Sequence, residues 1–354
     1  MSNLSRLRAS MEKAGVPALL VTDLLNIRWV SGFTGSSGVV VVTPADAIFI
    51  TDSRYTLQAA QQVTEMPQRV FSTPDNLDGV LGQELTRMGV KDLGFETSQS
   101  YAEWQRRSKL YEGITWTATD GLIEDLRKVK TPDEVAKIRE ACKLADACME
   151  HVSRMLQPGI SEYDLGLDVE FFYRRHGALR ALVPIVVSGP NSAKPHGNPG
   201  ERLLEVGDFV TIDCGGKLDG YCSDITRTFV IGKASDRHRD IYDQVLKSQI
   251  AACAALKPGV DGKSVDQMTR DILNEKDLAK YFGHGLGHGL GMNVHDPGRL
   301  SMTVSEILEP GMVLTVEPGV YIEGFGGVRI EDDVLVTEGE PDILTSFPKE
   351  LIEA

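Results

Sequence analysis

Two pairs of carboxylates and one cluster of histidines are the residues of this 354-residue chain whose types and spacing could do chemistry together. Asp213 closes the β-rich run Phe209-Val210-Thr211-Ile212-Asp213, and Asp224 opens Asp224-Ile225-Thr226-Arg227-Thr228-Phe229. Between them lies Lys217-Leu218-Asp219-Gly220, a turn sequence. A turn centred on Leu218-Asp219 would set Asp213 directly opposite Asp224, with Cβ atoms roughly 5 Å apart. Carboxylates that close repel unless a cation or a shared proton sits between them. The arrangement recurs near the C-terminus. Val313-Leu314-Thr315-Val316-Glu317 and Val328-Arg329-Ile330-Glu331 flank the bend Gly324-Phe325-Gly326-Gly327. Centring that bend on Gly324 makes Glu317 and Glu331 a second opposed pair.

The third feature is the run from Gly283 to Asp296, which holds three of the chain's seven histidines, His284, His288 and His295. Its glycines argue against a helix and let backbone approach a ligand closely. One imidazole with four carboxylates suits divalent cations of intermediate hardness such as Mn2+, Co2+ or Zn2+. Five ligands exceed the three protein groups that a catalytic zinc usually keeps. Bridging carboxylates would let them serve two cations. Each residue has a plainer reading when taken singly. Asp213 could be a solvated aspartate by a turn, the Gly-His-Gly run a flexible loop, and Glu331 part of a surface charge run, Glu331-Asp332-Asp333. Two opposed acidic pairs beside a histidine cluster outweigh those readings.

Such a set needs rigid elements to hold it. Before residue 126 the pattern alternates. Ala18 to Thr22, Gly38 to Thr43 and Ala47 to Thr51 read as strands, and Arg54 to Val63 and Leu77 to Met88 as helices. This predicts a small α/β domain with a mixed sheet over residues 1–126. Lys130-Thr131-Pro132-Asp133-Glu134 marks a boundary, because Thr131 can cap a helix, Pro132 suits its first position and Glu134 completes a capping box. Helices are predicted from Pro132 to about Leu156, Glu162 to about His176, Arg237 to Leu256 and Ser264 to Leu278. Strands dense in Gly, Asp, Glu and His lie between and after them. No internal repeat of fixed period is read. Residues 127–354 are thus expected to form an α+β domain with helices on one side of an antiparallel sheet.

The bulk properties exclude other classes. With a net charge of −14 and no Lys/Arg run, the chain would repel phosphate backbones, so nucleic acid is not expected as a partner. No apolar run is long enough for a membrane span, and the first residues do not read as a secretory signal. The five cysteines, Cys142, Cys148, Cys214, Cys222 and Cys253, match no zinc-thiolate spacing. They read as free thiols of a cytoplasmic protein. Cys214 and Cys222 could face each other across a hairpin, but nothing demands it.

The motifs carry a resemblance. Pro195-His196-Gly197, Gly207-Asp208 through Asp213, Asp219-Gly220-Tyr221-Cys222-Ser223-Asp224 through Thr228, the histidine run, Glu317-Pro318-Gly319-Val320-Tyr321 and Gly327 through Asp332 are similar to those of the pita-bread metallopeptidases. That family includes methionine aminopeptidase, aminopeptidase P and prolidase. The match covers about two thirds of the chain, and residues 1–126 resemble the creatinase-type N-terminal domain of prolidases and aminopeptidases P. The resemblance implies two divalent ions per subunit, with Asp213 on one, His288 and Glu317 on the other, and Asp224 and Glu331 bridging. Methionine aminopeptidase fits less well, since it lacks such an N-terminal domain and a histidine at the place of His284.

The proline-directed members have histidines at the places of His196, His284 and His295. They imply roles in substrate binding or proton transfer for His196, oxyanion stabilisation for His295 and a proline pocket lined by His196 and His284. Glu317 would also move the proton to the leaving nitrogen. Tyr321 and Arg329 would orient the peptide or a metal ligand, unless Arg329 simply pairs with Glu331 two residues away. Arg299 is a candidate clamp for a substrate carboxylate. The short chain leans toward an Xaa-Pro dipeptidase, with aminopeptidase P action on longer peptides as the alternative and a metal-free binding module as a third reading. Family likeness also implies a homodimer.

Overall fold

The computed structural model describes residues 2–180 and 182–354. Contacts divide the chain into two compact units, Met1–Arg127 and Lys128–Ala354.

In the first unit the β-branched runs form one six-stranded mixed sheet. Its spatial order is Gln68–Phe71, Ala47–Asp52, Val39–Val42, Leu19–Val21, Asp92–Glu96 and Thr115–Thr119. Leu19–Val21 is antiparallel to Val39–Val42 and parallel to Asp92–Glu96. A mixed small α/β unit is thus what forms. Thr56–Gln62 and Leu77–Arg87 are helical within the predicted segments. The pattern did not single out the helices Asn3–Ala14 and Tyr101–Leu110, although each begins at a serine cap, Ser2 and Ser100.

In the second unit the capping box forms as predicted. The Thr131 hydroxyl accepts from the Glu134 N–H, the Glu134 carboxylate accepts from the Thr131 N–H at 2.8 Å, and the helix Pro132–Ser153 follows. Helices Glu162–Arg175, Asp236–Ala255 and Gly262–Asn274 complete two pairs. The first pair packs Ala145, Met149, Leu165 and Val169 against Val210, Ile212, Ile225 and Phe229. The second packs Val245, Ala252, Val265 and Leu273 against Leu314, Val316, Val328 and Ile330. The ladders beneath are antiparallel.

The second unit holds an internal repeat, though not one of fixed period. Residues 158–178 and 258–278 bury the same positions in the same order, each opening on Pro-Gly and each capping its helix, at Ser161 and at Asp261. A strand then follows in each copy: Glu205-Val206-Gly207 leads to Asp213, and Glu309-Pro310-Gly311 leads to Glu317. Gly207 and Gly311 have φ of 92° and 91°. The helices and the strands are offset by different lengths, which hides the repeat from a search for one period.

Alternation along these strands positions the polar residues. Val210, Ile212 and Cys214 face the first helix pair, so Thr211 and Asp213 face away. Leu314 and Val316 face the second pair, so Thr315 and Glu317 face away; the same holds for Val328 and Ile330 against Arg329 and Glu331. The carboxylates therefore gather on the face that the helices do not cover. All five cysteines are buried and free, and Cys222 lies opposite Lys217 rather than Cys214.

Candidate metal centre

At Asp213 and Asp224 the turn centre lies one residue beyond the expectation, which moves the partner of Asp213 by two residues. The hairpin turns on Asp219 and Gly220, with φ of 49° and 85°, and Leu218 pairs Tyr221. Two positive φ values in a two-residue loop are the hairpin geometry that Asp-Gly favours. Asp213 consequently lies opposite Thr226. Asp224 is two residues before Thr226 and shares its face, so the two aspartates are diagonal neighbours. The second pair keeps the expected register. Gly319 pairs Arg329 on one side and Val316 pairs Asp332 on the other, which sets Glu317 across from Glu331.

His288 arrives on the short strand Gly287–Gly289, which pairs with Asp296–Leu300 and with Val313–Val316. Gly287 permits this approach: a Cβ there would stand 1.9 Å from the Thr315 carbonyl oxygen. The His288 N–H donates to the Thr315 hydroxyl at 3.0 Å, and the ring Nδ1 contacts the Gly289 carbonyl at 3.1 Å, leaving Nε2 for the site.

Ligand-type atoms of Asp224, His288 and Glu331 lie within 4.8 Å of one another. His288 Nε2 is 3.8 Å from Asp224 Oδ2 and 3.4 Å from Glu317 Oε1. Asp213 joins them on the wall of the same cavity, of about 570 Å³. Most of these carboxylates are held by one hydrogen bond: the Thr226 hydroxyl donates to Glu331 Oε2 at 2.5 Å, Thr315 to Glu317 Oε1 at 3.2 Å, and Arg329 Nη2 to Asp213 Oδ2 at 2.5 Å. Meanwhile Asp213 Oδ1, Asp224 Oδ1 and Glu331 Oε1 are buried without a hydrogen-bond partner. Buried acceptors of this kind are costly unless something positive meets them. The residues present therefore fit divalent cations, on donor chemistry and on unfilled oxygens alike.

The electrostatics agree. Burial, reinforced by Glu331 and Asp213, pushes the Asp224 carboxyl far above the usual range. Burial with Glu317 and Asp213 does the same to Glu331, and burial carries Glu317 up to about 7. Burial lowers His288 and His284 to about 4, so both imidazoles are neutral at physiological pH, the form that can bind a metal. Burial would oppose charge on Arg329, but Tyr321, Asp213, Glu331 and Glu317 together hold its guanidinium firmly protonated.

His196, His284, His295, Arg299 and Arg329 also line the cavity. Arg329 pairs with Asp213, one of the expected metal ligands, and not with Glu331. Tyr321 stands behind the wall, its hydroxyl 2.9 Å from His284 Nε2 and 3.0 Å from Arg329 Nη1, so it braces those residues. Arg299 Nη1 donates to the carbonyls of Asp296 and Gly298, which anchors one edge of its guanidinium. The sequence reading passed over Thr226, Thr315 and Asp333. The threonines stand two residues from a carboxylate on the same strand face, which is the signal that could have found them.

A fold of this kind over a carboxylate–histidine cavity defines a metallopeptidase, and relatives give its family. Residues 136–338 match Metallopeptidase family M24, and residues 3–129 match the Creatinase/Prolidase N-terminal domain. The chain belongs to metallopeptidase family M24. It is 42% identical over 351 residues to the uncharacterized peptidase YqhT of Bacillus subtilis, covering 99% of each chain. It superposes on the Xaa-Pro dipeptidase from Bacillus anthracis with a TM-score of 0.96 at 39% identity, covering 99% of each chain. It superposes on an X-Pro aminopeptidase from Thermotoga maritima with a TM-score of 0.92 at 32% identity, covering 98% of this chain and 100% of that one.

Proposed function

We propose that this enzyme hydrolyses the Xaa-Pro bond of dipeptides with two divalent ions, Mn2+, Co2+ or Zn2+, held by Asp213, Asp224, His288, Glu317 and Glu331. The observation that carries the reading is the convergence of these five side chains on one cavity, with three buried oxygens left unpartnered. Bound divalent cations would acidify a water and polarise the scissile carbonyl. The chain's own residues supply the rest. Glu317, whose Oε1 stands 3.4 Å from His288 Nε2 at the cavity, can take a proton and deliver it to the prolyl nitrogen, which has no hydrogen of its own and must gain one on leaving. His295 sits at the cavity wall against His288, ring centroids 4.4 Å apart, where it can donate to the developing oxyanion. His284, fixed by Tyr321, and His196 line the pocket for the proline ring. Arg299, tethered through Nη1, offers its remaining donors to a substrate carboxylate.

The carboxylate clamp is what selects dipeptides. Comparing kcat/KM for Ala-Pro and Ala-Pro-Ala tests it: the dipeptide is expected to be the better substrate. Preference for the tripeptide would make the enzyme an aminopeptidase P instead. We also propose a cytoplasmic homodimer, on the five free thiols and on family likeness. Sedimentation equilibrium should give twice the chain mass.

A further inference from the structure

Each carboxylate of the proposed centre except one takes a hydrogen bond from a neighbouring side chain: Asp213 from Arg329, Glu317 from Thr315, Glu331 from Thr226. Asp224 is the exception. Among the described residues no hydrogen bond reaches its carboxylate, so its placement depends on its main chain. That main chain lies just outside the ladder, which begins with Ile225 opposite Cys214. Its N–H therefore has no strand partner, and a buried N–H without an acceptor is costly.

Asp333 fills the gap. Its Oδ2 accepts the Asp224 N–H at 2.9 Å, and the same oxygen accepts the Cys142 thiol at 3.3 Å. Asp333 belongs to the strand Asp332–Leu335 and Cys142 to the helix Pro132–Ser153, and both are fully buried. That strand, that helix and the segment at Asp224 thus meet at one carboxylate oxygen. The neighbouring Asp332 shows what a purely architectural acid looks like here. Its oxygens are taken by Arg227 at 2.8 Å, Lys349 at 2.6 Å, Gln249 at 2.7 Å and Thr345 at 2.8 Å. No Lys, Arg or His pairs with Asp333 among the described residues, and its Oδ1 is buried without a partner. Packing alone does not repay a buried acid of that kind.

We propose that Asp333 is a positioning residue of the metal centre, fixing the Asp224 main chain and thereby the carboxylate that faces His288 and Glu331. This rests on Asp224 being a metal ligand. Partners that orient a ligand typically change metal affinity 10–100-fold when removed.

The test is titration of Co2+ into the metal-free full chain, followed by the visible absorption of bound cobalt, for the parent, Asp333→Ala and Asp333→Asn. Asp333→Ala should bind Co2+ about 10–100-fold more weakly, with an altered cobalt spectrum and, at saturating metal, an unchanged KM for Ala-Pro. Asp333→Asn keeps an oxygen that can accept the Asp224 N–H and should stay within about tenfold of the parent. Parent-like cobalt affinity in a folded Asp333→Ala would overturn the inference. If that variant does not fold, Asp333→Asn decides: a loss of tenfold or more contradicts a role through the N–H. Failure of the parent itself to bind Co2+ would instead sink the metal centre.

Discussion

Glu317 titrates near 7 because burial takes its carboxylate out of water while Asp213 adds like charge, and the Thr315 hydroxyl and Arg329 recover only part of the loss. This makes the metal-free protein sensitive to pH in a definite direction. A carboxyl whose folded pKa exceeds its unfolded value binds more protons folded than unfolded, so its contribution is complete below the ordinary 4.5 and is lost as pH rises through about 7. Chemical denaturation of metal-free protein should show stability falling by roughly 3 kcal/mol over that window from Glu317 alone, at about 1.4 kcal/mol per unit. Saturating divalent cation should remove the fall, because the metal replaces the proton. Stability that rises over the same window without metal would contradict the account. At the same scale, Asp224→Asn should lose stoichiometric metal and lower kcat/KM by at least about 100-fold, since a ligand matters more than the partners that orient it. Metal analysis of the purified variant, beside its turnover, checks this.

The strands set where these residues stand, and glycine sets how closely they approach. Gly287→Ala would force a Cβ into the Thr315 carbonyl, 1.9 Å away, on the strand that carries His288. The expected result is a folded protein with Co2+ affinity reduced by about tenfold or more; an unchanged affinity would show that the strand yields without moving the imidazole. Elements were legible in the sequence where a chemical signal fixed them. The capping box at Thr131 and Glu134 started its helix as predicted, and the bend centred on Gly324 gave the register that faces Glu317 with Glu331. The first hairpin was displaced by one residue because the turn was centred on Leu218-Asp219. Asp219-Gly220 carries the positive-φ signature and marks the true centre. Asp332 and Asp333 could be read as surface charge; both are buried, since the strand runs beneath helices distant in sequence. Their partners Arg227, Gln249 and Cys142 are set by tertiary packing that no local pattern encodes.

The second unit repeats a helix–strand theme, and each copy places a carboxylate at or just past the end of its strand, Asp213 in one and Glu317 in the other. The helix pairs bury the apolar faces of the strands that carry Asp213 and lead to Glu317, and the acidic faces are left to meet each other. Cations that bind only the folded chain should raise the unfolding free energy by about 2.7 kcal/mol per site, roughly 5 kcal/mol for two, at a hundredfold excess over each Kd. Differential scanning calorimetry with and without Mn2+ measures the gain, and no shift would contradict it. The central claim is that five residues hold two ions. Calorimetric titration of Mn2+ or Co2+ into metal-free protein, with the content confirmed by mass spectrometry, tests it most directly. The account predicts saturation at two ions per chain in the parent and loss of that stoichiometry in Asp224→Asn. A parent that binds none or only one, or an Asp224→Asn variant that still binds two, would contradict it.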